Sequence, residues 1–145
     1  EYARNILGLA AANSTEMDEG TPHPVISLMD EQKNVENKGG TMRLGAWDCT
    51  LTAGSRVHEI YKADDISERH RHRYELNNDY LSELTKNGLK ATGMNPKTQL
   101  AEIVEIDKHP WFVGVQYHPE YKSTVLEPHP LFSAFVEACN TYAKK

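Results

Sequence analysis

The sequence has few cysteines and no long apolar run, and both absences narrow the classes of protein that fit it. Its 145 residues contain only Cys49 and Cys139, too few for a disulfide-stapled secreted fold, so we expect a reducing, cytoplasmic location. No apolar stretch approaches the ~20 residues that a membrane-spanning helix needs, so no membrane span is predicted. The net charge of −5 argues against a general nucleic-acid-binding protein.

The sequence also lacks an initiator methionine and a basic leader, because it begins with Glu1-Tyr2-Ala3-Arg4. Tyr2, Ile6 and Leu9 are near helical spacing, so we expect the chain to begin inside a helix and to be a piece of a longer protein. Its length suits one domain, and no linker or internal repeat divides residues 1–145.

Apolar periodicity and turn residues predict alternating strands and helices, which is typical of an α/β layered architecture. The predicted strands cover residues 25–29, 41–51, 68–76, 89–92, 100–106 and 111–117. The predicted helices cover an opening segment that ends between residues 8 and 12, then 57–61, 80–87 and a last helix from 130. The last two strands should form an antiparallel hairpin, because only four residues join them.

The two cysteines are interpreted as structural residues. Cys139 lies on the predicted apolar stripe of the last helix, with Leu131, Phe135, Ala138 and Tyr142, so a buried core thiol is expected. Cys49 lies in a predicted strand that no helix follows, unlike an activated cysteine at a helix N-terminus. No Gly-x-Cys-x-Gly or Gly-x-Ser-x-Gly elbow occurs in the sequence, so it contains no recognisable nucleophile.

The segment from Val115 to Glu120 is the strongest candidate for chemistry. It ends an apolar run and places His118 and Glu120 two positions apart, which on a strand puts both side chains on one face. Glu120 could then fix the tautomer of His118, as the orienting acid does in a nucleophilic triad. By spacing alone, a histidine packed at a strand end beside an exposed glutamate is an equal alternative.

A second candidate is the basic run between Glu68 and Glu75. On a strand, Arg69, Arg71 and Arg73 share one face, and the two intervening histidines point to the other. An arginine row can hold a carboxylate or phosphate by bidentate hydrogen bonds. A solvated basic edge strand, balanced by the two glutamates, is an equal alternative. No metal site is predicted, because a histidine pair alone supplies too few ligands for zinc.

Two loops carry weaker candidates. The Gly39–Gly45 segment would allow close approach of a ligand to the backbone, and Arg43 within it could meet a phosphate. A turn that leads into a strand is the more common explanation of such a segment. Glu16, in the loop after the opening helix, could meet an ammonium group, although loop glutamates are usually solvated.

Taken together, these stretches resemble the C-terminal glutaminase domain of CTP synthases, a class I glutamine amidotransferase of the triad type. The resemblance covers essentially the whole chain. It rests on Asn13-Ser-Thr-Glu16, Gly39-Gly-Thr-Met-Arg-Leu-Gly45, Glu68-Arg-His-Arg-His-Arg-Tyr-Glu75 and Gln116-Tyr-His-Pro-Glu120, in that order. It implies a class I glutamine amidotransferase-like, flavodoxin-like layered sheet with flanking helices, of which this chain would be the C-terminal portion.

The resemblance also implies roles for individual residues. His118 would act as general base and acid, and Glu120 would orient it. Glu16 and Arg73 would hold the α-amino and α-carboxylate groups of the substrate, L-glutamine. The released ammonia would pass to an N-terminal synthase domain of the same parent chain, which is expected to be a homotetramer at full length.

The cofactors implied by the resemblance belong to that parent. Its synthase domain would use ATP and Mg²⁺ to aminate UTP to CTP, and no cofactor is expected within these 145 residues. GTP would activate the parent through a loop that includes Thr41 and Arg43.

The sequence departs from the family pattern at the nucleophile. In the family, a cysteine lies in a Gly-x-Cys-x-Gly elbow just before the segment that resembles Glu1-Tyr2-Ala3-Arg4-Asn5, so we expect the elbow upstream of Glu1. These residues alone should then lack glutaminase activity. Two alternatives stay open: half of another class I glutamine amidotransferase, and a non-catalytic interaction module that keeps the fold without the nucleophile.

Overall fold

The computed structural model describes residues 1–28 and 42–144, which form two β-sheets with α-helices and so confirm the predicted α/β class. The strands are β1 (Ala12–Ser14), β2 (His23–Leu28), β3 (Arg43–Leu51), β4 (Asp65–His72), β5 (Tyr74–Leu76), β6 (Leu89–Met94), β7 (Ala101–Ile106) and β8 (Val113–Val115). The α-helices are α1 (Tyr2–Asn5), α2 (Arg56–Tyr61), α3 (Leu81–Lys86) and α4 (Pro130–Ala143).

The larger sheet has the strand order β4-β3-β6-β7-β8, and every neighbouring pair in it is antiparallel. The predicted hairpin is confirmed as β7 and β8, with Ile103 opposite Val115. The smaller sheet has the order β1-β2-β5, in which β1 runs parallel to β2 and β5 runs antiparallel to it.

One extended stretch belongs to both sheets. The sequence predicts a single strand over residues 68–76, whereas the structure divides it at Arg73 into β4 of the larger sheet and β5 of the smaller one. Arg73 is therefore the hinge at which the two sheets meet. This placement decides where the candidate site lies.

The core lies between the larger sheet and helices α2 and α4. Val57 of α2 and Leu131 of α4 are buried against Cys49 of β3 and Ile103 of β7. Gly93 is needed at this interface, because a Cβ atom there would lie 2.7 Å from Ile103 and 2.8 Å from the Cys49 sulfur.

Two residues end the short helices in characteristic ways. Ser55 caps α2, since its hydroxyl accepts a hydrogen bond from the backbone N–H of His58 at 3.2 Å. Beyond α3, Gly88 has φ +103°, a conformation that favours glycine and is common just after a helix end.

The opening of the chain differs from the prediction. The helix ends after Asn5, earlier than expected, and Gly8 takes φ +71° in the turn that follows. The sequence analysis did not predict the short strand β1, which pairs with β2. Three residues are too few to show the alternation by which strands are recognised.

The predicted apolar stripe of the last helix is confirmed at Leu131 and Ala138 and wrong at Phe135, Cys139 and Tyr142. The inward side of α4 is formed by Leu131 with the half-buried Ala134 and Ala138, whereas Phe135 and Cys139 are exposed. A helical face is set by i, i+3 and i+4 spacing, and the small alanines allow α4 to approach α2 closely. The prediction of a buried Cys139 thiol is therefore wrong.

The longest described helix is α4, with 14 residues. Within residues 1–28 and 42–144, no helix is both long and apolar enough to cross a bilayer.

Candidate functional site

His118 and Glu120 are in direct contact at the end of β8. The Nδ1 atom of His118 lies 2.7 Å from the Glu120 carboxylate. The contact forms differently from the prediction, because residues 119–122 are a 3₁₀ turn and not a strand. Pro119 begins this turn, since its fixed φ suits a first helical position, and the turn folds Glu120 back toward His118. Both side chains are partly exposed, by 38% and 55%.

The carboxylate of Glu120 is well suited to orient the imidazole. A hydrogen bond from its own backbone N–H and the bond to His118 both lower the pKa of Glu120, so it is ionised near neutral pH. An ionised carboxylate only accepts, so Nδ1 of His118 carries the shared proton. Nε2 is then left as the basic atom of the ring.

Two further contacts hold His118 in place. Its backbone N–H donates to the carbonyl of Arg69 on the edge strand β4 at 2.9 Å. Tyr121 stacks on the imidazole, with ring centroids 5.0 Å apart and planes inclined by 24°. The sequence analysis missed Tyr121, and its position three residues after His118, across one turn of 3₁₀ helix, is the only signal that could have found it.

Arg73 lies apart from the other arginines of the basic run. Arg69 and Arg71 are exposed on β4, as the predicted alternation requires, but Arg73 is half-buried at the hinge before β5. Its Nε atom is buried and has no hydrogen-bond partner within the described part of the chain. A buried, unused guanidinium donor is suited to a ligand carboxylate.

Glu16 lies in the turn that follows β1. The hydroxyl of Ser14 shapes this turn by accepting a hydrogen bond from the backbone N–H of Glu16 at 3.2 Å. Ser14 pairs with Ile26, so Glu16 lies level with the end of β2. The side chain is exposed and points from a loop, in the setting expected for contact with a ligand or with solvent.

The small sheet brings the Glu16 turn and Arg73 to the same end. Tyr74, directly after Arg73, pairs with Leu28 at the end of β2, and the Glu16 turn reaches that level on the other side. The two outer strands are separated by two strand spacings, about 10 Å. A cleft of about 300 Å³ lies along this sheet, lined by Thr15, Glu19, Pro24, Ser27, Leu28, Tyr74 and Asn77, which include the residues next to Glu16 and Arg73 but neither of these two. The backbone register therefore brings one acid and one base to the same end of the small sheet.

Arg43 is buried, and its surroundings favour a structural role over the predicted contact with a nucleotide. Its guanidinium donates to Glu75 at 3.1 Å and to Glu102 at 2.6 Å, and only 5% of the residue is exposed. Thr41 and the glycines at 39 and 40 lie outside the described residues. The alternative of a solvated basic edge strand holds for the exposed Arg69 and Arg71, but the buried Glu75 does not balance them at the surface as that alternative required.

Two histidines complete what we call the Arg43 cluster: Arg43, Glu75, Glu102, His70 and His72. Nδ1 of His70 lies 2.8 Å from Nε2 of His72. Burial, and then the charge of Arg43, lower the pKa of His70 to about 3 and that of His72 to about 4, so both rings are neutral near pH 7. Burial raises the pKa of Glu75 to about 7.

A second buried group, the Glu68 cluster, consists of Glu68, Tyr61, Tyr117 and His129. The Tyr61 hydroxyl donates to Glu68 at 3.1 Å and lies 2.9 Å from the Tyr117 hydroxyl. Nε2 of His129 lies 3.0 Å from Glu68, and Nδ1 accepts the Leu131 N–H at the start of α4. The sequence analysis missed this cluster. Its one signal was the place of Glu68 on the inward side of an alternating strand.

Cys49 is confirmed as a buried thiol. It is 1% exposed, and burial raises its pKa to about 12, so it is protonated at neutral pH. Within residues 1–28 and 42–144, no group of three His, Cys, Asp or Glu side chains is arranged to hold a metal ion.

Comparison with known proteins identifies the family to which the chain is similar. The glutamine amidotransferase class-I family profile matches residues 4–138. A CTP synthase of Flavobacterium johnsoniae is 64% identical over all 145 residues, which are 27% of that protein. A CTP synthase of Salinibacter ruber is 56% identical over 99% of this chain and 25% of its own length.

A solved structure is similar as well. The glutaminase domain of Trypanosoma brucei CTPS with bound acivicin is 36% identical and superimposes with a TM-score of 0.87, over 96% of this chain and 54% of that one. The chain spans about a quarter of the length of the curated relatives it matches.

Proposed function

This chain belongs to the class I glutamine amidotransferase family, and we propose that it supplies the acid-base and substrate-binding part of a glutaminase within a CTP synthase. The observation that carries the proposal is the 2.7 Å contact between His118 Nδ1 and Glu120. It leaves Nε2 of His118 free to exchange a proton with a nucleophile and a leaving group. The likeness to relatives named CTP synthase favours this family over other class I amidotransferases.

In the proposed reaction, a cysteine thiolate attacks the side-chain amide carbon of L-glutamine. His118 takes the thiol proton and gives it to the departing ammonia, and a glutamyl thioester remains. Water then adds to the thioester with His118 as base, which releases glutamate and restores the thiol. Throughout, Glu120 holds the ring and stabilises the imidazolium.

Glutamine would be oriented by its α-groups. Arg73 would receive the α-carboxylate, because its buried Nε atom has no partner within the described residues. Glu16 would receive the α-ammonium from the turn after β1, on the other outer strand of the small sheet. The two charges are complementary to a free amino acid and would reject a peptide-linked glutamine, whose α-groups are neutral.

The thiol would come from a residue outside these 145. Cys49 is buried and protonated, and Cys139 lies in the second half of α4 and not at a helix N-terminus, where activated cysteines are often found. We propose that a polypeptide limited to these residues releases no ammonia from glutamine. Ammonia release that a Cys49→Ala or Cys139→Ala substitution abolishes would contradict this.

The whole protein would use the ammonia to convert UTP to CTP, with ATP and Mg²⁺ bound in its synthase part and GTP as activator. Its tetrameric assembly and cytoplasmic location are parts of the same proposal. The unpaired state of both cysteines is consistent with that location.

The decisive experiment uses the complete protein that contains these residues. His118→Asn should lower glutamine-dependent CTP formation by at least about a hundredfold, because general acid-base catalysis is lost, and ammonia-dependent formation should persist. Arg73→Ala should raise the KM for glutamine with a smaller change in kcat. Unchanged glutamine use by the His118 variant would remove His118 from the mechanism. A wild-type protein that binds partners without using glutamine would favour the interaction-module alternative.

A further inference from the structure

Gln116 lies between the His118–Glu120 pair and Arg73, and its side chain has no part in the proposed reaction. It is two residues before His118 and directly follows β8. Its backbone N–H donates to the carbonyl of Glu102 at 2.9 Å, so its main chain is fixed to β7. Its side chain crosses to the hinge between β4 and β5.

The side-chain amide contacts both neighbours of Arg73. Nε2 donates to the carbonyl of Tyr74 at 2.7 Å and lies 3.1 Å from Nδ1 of His72. The orientation of the amide is fixed by the first contact, because a carbonyl oxygen accepts only from a donor and the amide oxygen could not take that place. One NH₂ group thus forms hydrogen bonds to the residues on both sides of Arg73.

These contacts determine which ring nitrogen carries the proton in His72 and in His70. Since Gln116 donates to Nδ1 of His72, that atom is unprotonated and the proton of His72 lies on Nε2. Nε2 of His72 then donates to Nδ1 of His70 at 2.8 Å, and the proton of His70 lies on its own Nε2. Neutral rings are required at each step, in agreement with the lowered pKa values of both histidines.

We propose that Gln116 is a positioning residue that holds the Arg73 hinge in the geometry that receives the α-carboxylate of glutamine. Arg73 alone joins β4 of the larger sheet to β5 of the smaller one. The direction of its side chain therefore depends on the contacts that hold His72 and Tyr74 in place. Gln116 anchors both flanks from the segment that also carries His118. The imidazole of His118 and the side chain of Arg73 are thereby held in a fixed position relative to each other. This inference rests on the proposed glutaminase function.

The test compares Gln116→Met with wild type in the complete protein. Methionine keeps the length and approximate volume of the side chain and removes both hydrogen bonds. The KM for glutamine should rise about five- to tenfold, as expected for loss of a buried hydrogen bond, with a smaller change in kcat and unchanged ammonia-dependent activity. Thr92→Val is the matched control, because it removes a buried 2.7 Å hydrogen bond to Glu105 away from the hinge and should leave KM unchanged.

A double substitution separates positioning from a general structural effect. If Gln116 acts through Arg73, Gln116→Met should raise KM little further in an Arg73→Ala background. Full additivity of the two effects would overturn the proposal, as would an unchanged KM in the single Gln116 variant. Wild-type protein without glutamine-dependent activity would instead remove the proposed function itself.

If the Gln116 variant does not fold, a measurement on wild-type protein tests whether Gln116 donates a hydrogen bond to His72. Nitrogen-15 NMR of the histidine rings should find His72 protonated at Nε2 and unprotonated at Nδ1 at pH 7. A proton on Nδ1 of His72 would leave only the hydrogen bond to Tyr74 and would overturn the proposal that Gln116 anchors both flanks of Arg73.

Discussion

The Arg43 cluster and the Glu68 cluster both bury charge beside the His118 segment, yet they satisfy it very differently. In the Glu68 cluster, one carboxylate oxygen accepts from Tyr61 and from His129, and the second ring nitrogen of His129 caps α4. The other oxygen, Glu68 Oε2, is the one buried atom of this cluster without a hydrogen-bond partner within the described residues. In the Arg43 cluster, one cation serves two carboxylates. Several of its buried atoms have no partner within the described residues, namely Arg43 Nε, Glu75 Oε2, Glu102 Oε2 and His70 Nε2.

The difference indicates what each cluster does. A network with few unpartnered atoms specifies one arrangement, and the Glu68 cluster joins β4, α2, α4 and Tyr117 in this way. An under-satisfied network depends on one central charge and on the protonation of its members. The Arg43 cluster adjoins the Arg73 hinge through His72 and Glu75, so its electrostatic state bears on the substrate side of the site.

Loss of the central cation should have the largest effect. Arg43→Met leaves the buried Glu75 and Glu102 carboxylates without a counter-charge, and we expect a loss of about 3–5 kcal/mol in the free energy of unfolding. Urea unfolding of the chain followed by tryptophan fluorescence measures it, since the Arg43 guanidinium lies 4.5 Å from the Trp47 ring. The exposed Arg71→Met is the control and should change stability by less than about 0.5 kcal/mol. A loss smaller than that caused by Tyr61→Phe would show that the Arg43 cluster depends less on its central group than the Glu68 cluster does.

Titration of Glu75 should have the next largest effect. Its folded pKa, about 7, lies above the ordinary 4.5, so between pH 4.5 and 7 the folded state binds more protons than the unfolded state. Stability from this group is therefore present at low pH and is lost as pH rises through 7. The advantage of wild type over Glu75→Gln should fall across this interval by up to roughly 3 kcal/mol.

The comparison with Glu75→Gln isolates this group, because His70 and His72 act in the opposite direction. Their lowered pKa values make wild type more stable as pH rises toward 6.5, and that contribution is present in both proteins. Unfolding midpoints measured at half-unit pH steps give the difference. Thr92→Val does not titrate, so its difference from wild type should be constant with pH. A constant difference for Glu75→Gln would show that Glu75 does not titrate in this range.

The contrast between the clusters also marks what could be predicted from sequence. The His118–Glu120 contact follows from local spacing, even though a 3₁₀ turn and not a strand produces it. The α/β class and the β7–β8 hairpin follow from periodicity and short connections. These features are encoded within a few residues of one another, where sequence patterns are informative.

Features that depend on distant partners could not be predicted. Arg43 contacts Glu102, 59 residues away, and no local pattern distinguishes this arginine from one that faces a ligand. Glu68 meets His129 across 61 residues. The inward face of α4 was misjudged for the same reason, because α2 decides which apolar residues are covered. Burial is a property of the assembled sheet and helices, so it overrides the preference of charged residues for the surface.

Removal of the hydroxyl at the centre of the Glu68 cluster should have the smallest effect of the three. Tyr61→Phe leaves the Tyr117 hydroxyl without its 2.9 Å partner, but Glu68 keeps the hydrogen bond from His129. We expect a loss of about 1–2 kcal/mol in the same unfolding measurement, as for one buried group left unpaired. Tyr142→Phe, at an exposed position of α4, is the matched control and should change stability by less than about 0.5 kcal/mol. Because Glu68 retains its hydrogen bond from His129 when Tyr61 loses its hydroxyl, a cost near that of Arg43→Met would mean that both clusters depend on a single central group.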